Sequence, residues 1–185
     1  MDDLTWLAGR IDVDLTAPGL TGEQVRAALT DSTGLHGAVV MPPHVPWVPE
    51  ELVTIAAVGY PTGRHHSLIK ASEARLAVEF GATEIWLAVD EAGMDVNARL
   101  ADIVAVRQAV PPPVLLHVLG TDADTMTAAG RAGADGVVVA AWPGELDLPV
   151  IARGDLSPDE GIDLLAAGAA RLALPDPQGF LAALR

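Results

Sequence analysis

Apolar residues in this chain fall in short unbroken runs: Ile11–Leu15, Gly37–Met41, Leu52–Val58, Glu84–Val89, Val114–Leu119, Gly136–Ala140, Pro149–Ala152 and Arg171–Leu174. Continuous runs of this length, without polar alternation, suit strands buried on both faces of a parallel sheet. Between them lie alanine-rich stretches of helical character: Gly22–Leu29, Ser67–Phe80, Val96–Val110, Asp122–Ala132 and Pro158–Ala167. Their boundaries are marked by helix-start and helix-stop residues. Thr21 and Ser157 precede helices, Asp122–Ala132 starts with an Asp or Thr cap, and Gly81, Gly133, Gly168 and the triplet Pro111-Pro112-Pro113 follow helices. Strand and helix alternating through about eight strands predict a (β/α)8 TIM barrel, one domain over residues 1–185, with a flavodoxin-like sheet as the alternative fold.

Two connections are short for such a barrel. The strand 2–3 connection, Pro42–Glu51, has room for barely one helical turn, and Trp142–Leu148 has room for none. The expected barrel is therefore shortened, with helix 6 missing and the strand 2–3 connection trimmed. Uncovered strand surface is costly in water. Trp47 and Trp142 lie in these thinned regions, which predicts either an oligomer that covers them or loops that fold back over them. The repeated Gly-Ala turns at Gly81-Ala82, Gly133-Ala134 and Gly168-Ala169 each join a helix to a strand and support the fold alone.

Composition narrows the function classes. About half of the 185 residues are apolar, but only seven are aromatic, so the core is built of Ala, Val, Leu and Ile. A net charge of -14 opposes binding to nucleic acid or to anionic membranes. The absence of cysteine excludes disulfides, thiolate catalysis and Cys-ligated metals. The opening Met1-Asp2-Asp3 lacks a basic leader, and no run reaches the ~20 apolar residues of a membrane helix, so an acidic, soluble, cytoplasmic protein is expected.

Several motifs, in order, resemble the deoxyribose-phosphate aldolases, the DeoC family of class I aldolases. Ile11-Asp12-Val13-Asp14-Leu15 resembles their first strand, Ile-Asp-x-Thr-Leu. Val40-Met41-Pro42-Pro43-His44-Val45-Pro46 and Val58-Gly59-Tyr60-Pro61-Thr62-Gly63 resemble the second- and third-strand motifs. Lys70-Ala71-x-Glu73-Ala74, Gly81-Ala82-x-Glu84-Ile85 and Gly133-Ala134-Asp135 continue the likeness over nearly the whole chain. The resemblance implies a Schiff-base lysine on strand 6, a tuning lysine on strand 7 and a proton-relay aspartate on strand 4. Here those positions read Val138, Ile151 and Trp86. A further strand-5 lysine of the family falls near His117. The family's phosphate-binding turns read Gly154-Asp155 and Leu174-Pro175-Asp176, where proline removes an N–H donor and the aspartates repel phosphate. The resemblance thus implies a degenerate member without the Schiff-base lysine.

The chain's single lysine, Lys70, lies in the helix after strand 3. It is expected as a surface lysine paired with Glu73 at (i, i+3). Candidates for other chemistry at the strand ends are Asp12, Asp14, Asp90, His117, Arg153 and Asp155, with the pair His65-His66 beside Arg64 as a solvated helix entrance. Their spacing matches no metal motif, and no cofactor or metal is expected. Trp86 is expected to plug the barrel mouth. The resulting expectation is a pseudoenzyme, a structural or regulatory partner that forms a homo-oligomer or a hetero-oligomer with an active aldolase paralogue. The alternative is a repurposed enzyme for a small non-phosphorylated carbonyl compound, handled without a Schiff base by Asp12, Asp90, His117 and Arg153 in an open pocket.

Overall fold

The computed structural model describes residues 3–144 and 146–185; Met1 and Asp2, on which the expectation of no leader rests, lie outside the described residues. Eight parallel strands close into a barrel in sequence order: β1 (Ile11–Asp14), β2 (Gly37–Val40), β3 (Val53–Val58), β4 (Glu84–Ala88), β5 (Leu115–Leu119), β6 (Gly136–Val139), β7 (Val150–Arg153) and β8 (Arg171–Leu174). The predicted TIM barrel is present, and the flavodoxin-like sheet is not, because β8 pairs with β1 and leaves no edge (Asp12 opposite Ala173).

Each helix begins where a side chain satisfies the orphan N–H groups of its first turn. Thr21 and Gln24 form a reciprocal capping box on α2 (Gly22–Thr30), and Ser157 with Glu160 does the same on α6 (Pro158–Ala166). Asp95 and Asp122 cap α4 (Val96–Ala109) and α5 (Ala123–Ala132). Gly133 stops α5 at φ 73°, a left-handed conformation that other residues reach only at a cost. His66 caps α3 (Ser67–Glu79) by accepting from Leu68 N, so the histidine pair is indeed an exposed helix entrance.

Two helices escaped the sequence pattern. Both α1 (Asp3–Ala8) and α7 (Pro177–Ala182) have six residues, too few to display a helical period. Asp176, read from sequence as part of a degraded phosphate turn, is the N-cap of α7 and accepts from Gly179 N at 2.9 Å.

The thinned connections are as expected in length. A 3-10 helix, Pro42–Trp47, replaces the helix between β2 and β3, and the described residues between β6 and β7 form no helix. Both tryptophans pack partly buried against the outer core. Trp47 stacks on His44 with ring centroids 4.5 Å apart, and the Arg26 guanidinium lies 4.0 Å over it. These loops therefore fold back to cover part of the strand surface themselves.

Side chains alternate between two cores. Outward residues such as Ile11, Val13, Ile85, Leu87, Leu116 and Val118 pack against the helices. Inward residues form a second cluster of Val39, Ile55, Ala57, Trp86, Val138, Ile151 and Ala173, all nearly or fully buried.

Candidate functional site

The three positions where the resemblance implies catalytic residues lie together in the barrel interior. Trp86, Val138 and Ile151 are each at most 2% exposed and belong to one apolar cluster. Trp86 does not plug the mouth as expected; it fills the middle of the barrel. The register explains this, since Trp86 sits two residues above the base of β4, opposite His117 of β5. Its indole N–H donates to Glu84 Oε1 at 2.7 Å, which satisfies the one polar atom that burial would otherwise orphan.

Lys70 is not on the surface. Its side chain and that of Asp102, on α4, are both 0% exposed, and Nζ stands 2.5 Å from Asp102 Oδ2. It also donates to the Ala88 carbonyl at 3.0 Å. The lysine lies outside the barrel wall, between α3 and α4. Glu73, its expected partner, instead accepts from Gly59 N at 2.8 Å. The sequence places Lys70 one turn from Glu73, but a better-desolvated acid reaches it from the next helix, thirty-two positions away.

The candidate residues separate to the two ends of the barrel. At the C-terminal mouth, Arg153 of β7 reaches across to β1. Its Nε donates to Asp14 Oδ2 at 2.5 Å, and its Nη2 donates to Thr16 Oγ1 at 2.6 Å and to Tyr60 OH at 2.9 Å. The guanidinium also lies 5.0 Å from the Tyr60 ring centroid. Burial works against the Arg153 charge, but the Asp14 hydrogen bond and charge outweigh it and raise its pKa further. Beside this clamp is a cavity of about 180 Å³, lined by Tyr60, Leu119, Thr121, Val138, Ala140 and Arg153 among others. Glu91 borders it and accepts from Thr121 N and Oγ1 at 2.7 and 2.5 Å. Burial pushes its carboxyl up, and these hydrogen bonds more than reverse that, so it stays ionised to lower pH.

At the opposite end, Asp12 and His117 sit in a buried polar network at the strand starts. Asp12 Oδ1 is 2.7 Å from His36 Nδ1, and its Oδ2 is 3.4 Å from Arg171 Nη1. Arg171 Nη2 donates to Glu84 Oε1 at 2.5 Å, and His117 Nδ1 lies 2.9 Å from the same oxygen. Burial pushes Asp12 upward, against the pull of His36 and Arg171. For Glu84 the outcome is opposite: burial raises it, but His117 and Arg171 together hold it at about 2. In such barrels the N-terminal face serves stability and the C-terminal face serves chemistry.

The expected open pocket of Asp90, His117 and Arg153 is therefore not formed. His117 is walled off from the mouth by the apolar cluster. Asp90 pairs with Arg64 at 3.4 Å and accepts from Gly93 N at 3.0 Å, and it does not line the cavity. Asp155 is exposed. Sequence reasoning missed Glu84, Arg171, Tyr60 and Asp102. Glu84 had a usable signal, since it shares the inward face with Trp86 two residues away. Among the described residues no group of three or more His, Asp or Glu could hold a metal ion, and no helix is long and apolar enough to cross a membrane.

Chemically, the mouth offers hydrogen-bond donors on an apolar floor. Its one cation is already paired, and a nearby carboxylate adds negative charge. Neither the cavity lining nor the barrel interior contains an amine nucleophile.

The fold and this interior define a closed parallel β/α barrel of the aldolase type whose inner wall carries no lysine. By sequence the chain is a homologue of the deoxyribose-phosphate aldolases. It is 38% identical over 143 residues to that aldolase of Nocardia farcinica, covering 70% of this chain and 64% of the relative. It is 36% identical over 149 residues to the Thermus thermophilus enzyme, covering 70% and 66%. The matches span between 51% and 66% of the length of such curated relatives. No family model matches the chain. A tetrameric deoxyribose-phosphate aldolase structure from Aeropyrum pernix shares the fold with a TM-score of 0.84 at 22% identity, over 98% of this chain and 92% of that one.

Proposed function

We propose that this chain is a catalytically silent homologue of deoxyribose-phosphate aldolase, serving as a structural or regulatory partner that assembles with itself or with an active aldolase. One observation carries the reading: the single lysine is outside the barrel, fully buried and ion-paired with Asp102, while the interior positions matched to catalytic residues are Trp86, Val138 and Ile151. Schiff-base catalysis needs an amine that is unprotonated and reachable by substrate. Lys70 Nζ stands 2.5 Å from the Asp102 carboxylate, and both side chains are closed to solvent, so no substrate reaches the amine. A repurposed enzyme for a small non-phosphorylated carbonyl compound is the second reading, and it draws on the mouth cavity beside Arg153. That reading lacks a base or nucleophile in the cavity other than the hydrogen-bonded Glu91.

The test is borohydride trapping with acetaldehyde and with deoxyribose 5-phosphate, read by intact mass. The expected outcome, with any adduct located by peptide mapping because an N-terminal α-amine can also be alkylated, is no adduct at Lys70 and no retro-aldol turnover. A stoichiometric adduct at Lys70 would overturn the proposal. Adding the chain to an active aldolase and measuring native mass and turnover tests the partner role; an aldolase unchanged in both removes it.

A further inference from the structure

The Arg153 guanidinium spends three N–H groups on its neighbours in the barrel mouth. Nε donates to Asp14 Oδ2 at 2.5 Å, and Nη2 donates to Thr16 Oγ1 at 2.6 Å and to Tyr60 OH at 2.9 Å. A guanidinium has about five such donors. Those on Nη1 meet no acceptor among the described residues. Tyr60 OH accepts from Nη2, and among the described residues its own proton meets no acceptor. Both groups line the cavity of about 180 Å³ at the C-terminal mouth. The bonds to Asp14 and Thr16 hold the fork rigid, so these spare donors are oriented before any ligand arrives. Glu91 borders the same cavity. Burial pushes its carboxyl up, and the Thr121 hydrogen bonds more than reverse that, so it carries its charge at neutral pH. The rest of the lining is largely apolar, including Leu119, Val138 and Val139.

We infer that the mouth cavity is a non-covalent binding site for a small uncharged carboxamide, with the carbonyl oxygen on Arg153 Nη1 and Tyr60 OH, the N–H end toward Glu91 and the alkyl part on Leu119 and Val138. Size sets the scale. A water claims about 30 Å³ of liquid, so the space holds roughly six non-hydrogen atoms. Polarity sets the class. An amide is a compact dipole of about 3.5 D, and this cavity has a cation on one edge and an anion on another. Charge sets aside the competitors. Asp14, 2.5 Å from Arg153, already balances it, so Glu91 leaves the mouth with a surplus negative charge that opposes carboxylates and phosphates. An ammonium would lie beside the Arg153 cation. A zwitterion needs several partners at each charged end, and the few spare donors with one partly engaged carboxylate leave it underpaired. A ketone of the same shape satisfies the donors but offers Glu91 nothing. The inference goes beyond catalytic silence and does not depend on it. Ligand titration reads the binding, whereas borohydride trapping and turnover read the chemistry.

The experiment is a titration of the full chain, followed by backbone amide NMR shifts and by calorimetry, with four probes of matched size: isobutyramide, methyl isopropyl ketone, isobutyrate and alanine. The expected result is saturable binding of isobutyramide with a Kd of about 1 mM, ordinary for so few atoms. The shifts should centre on Tyr60, Gly120, Thr121 and Ala140, which line the cavity. The ketone should bind roughly tenfold more weakly, as for loss of one hydrogen bond to a charged group. Isobutyrate and alanine should bind more weakly still. Tyr60→Phe should weaken amide and ketone alike, by roughly fivefold. Glu91→Gln should remove the preference for the amide over the ketone. Thermal unfolding reports the folding of both variants separately, and the wild-type series needs neither. No saturable binding of isobutyramide up to roughly 50 mM overturns the inference. So does a ketone bound as tightly as the amide, a preference for isobutyrate or alanine, an amide preference that survives in folded Glu91→Gln, or shifts confined to residues away from the mouth.

Discussion

Replacing Lys70 by methionine removes one half of a fully buried ion pair and leaves the Asp102 carboxylate without its partner. Both side chains are 0% exposed, the separation is 2.5 Å, and Asp102 Oδ1 already lacks a hydrogen bond. Stranding a buried charge costs about 3–5 kcal/mol, whereas replacing both partners by apolar residues is often neutral or stabilising. For a domain of this size each kcal/mol shifts Tm by about 2–4 °C, so Lys70→Met should lower Tm by roughly 6–20 °C. Lys70→Met/Asp102→Leu should recover most of that loss. The assay is urea unfolding of wild type, both single variants and the double, treated as a double-mutant cycle. A Lys70→Met loss below about 1 kcal/mol, or strict additivity of the two singles, would show that the pair is not desolvated in solution. The reasoning that takes Lys70 out of catalysis would then fail with it.

Acidification should separate wild type from Glu84→Gln. The folded-state value of Glu84, about 2, lies below its ordinary 4.5, so its stabilisation is present above pH 4.5 and is lost as pH falls toward 2. Asp12, raised by burial, has the opposite sign: its cost at neutral pH is relieved as pH falls through its folded-state value. Unfolding free energy measured from pH 6 to 2 should therefore fall less steeply in Glu84→Gln, and parallel curves would contradict the network. Gly63→Ala should be strongly destabilising, because Gly63 has φ 68° and a Cβ there would stand 2.2 Å from the Val89 carbonyl carbon; a variant within 0.5 kcal/mol of wild type, roughly the noise of a neutral surface change, would refute that packing. Trp86→Ala should cost about 3–5 kcal/mol by opening a cavity in the barrel interior, checked by the same urea titration.

The barrel was legible because its signals are local. Unbroken apolar runs mark strands enclosed on both sides, and Thr21, Ser157 and Asp122 mark helix starts by hydrogen bonds that span only three residues. The short β2–β3 and β6–β7 connections were equally plain, since chain length alone denies them a helix. That none of the eight strands carries a lysine was also visible in the sequence, because it is a statement about residue identity. Helices α1 and α7 were not visible, being too short to show a period.

What only the tertiary structure decided was partnership. Lys70 sits three residues from Glu73 but bonds to Asp102, thirty-two residues on. Arg153 is clamped to Asp14 across 139 positions, and Arg171 reaches Glu84 across 87. His117 and Arg153 look alike as candidates in sequence, yet strand register puts them at opposite ends of the barrel. The physical reason is that hydrophobic pattern and capping act within a turn or two of chain. Charge pairing depends on which strands and helices meet and on how far each pair is staggered, and closure of the barrel fixes that stagger for all eight strands at once.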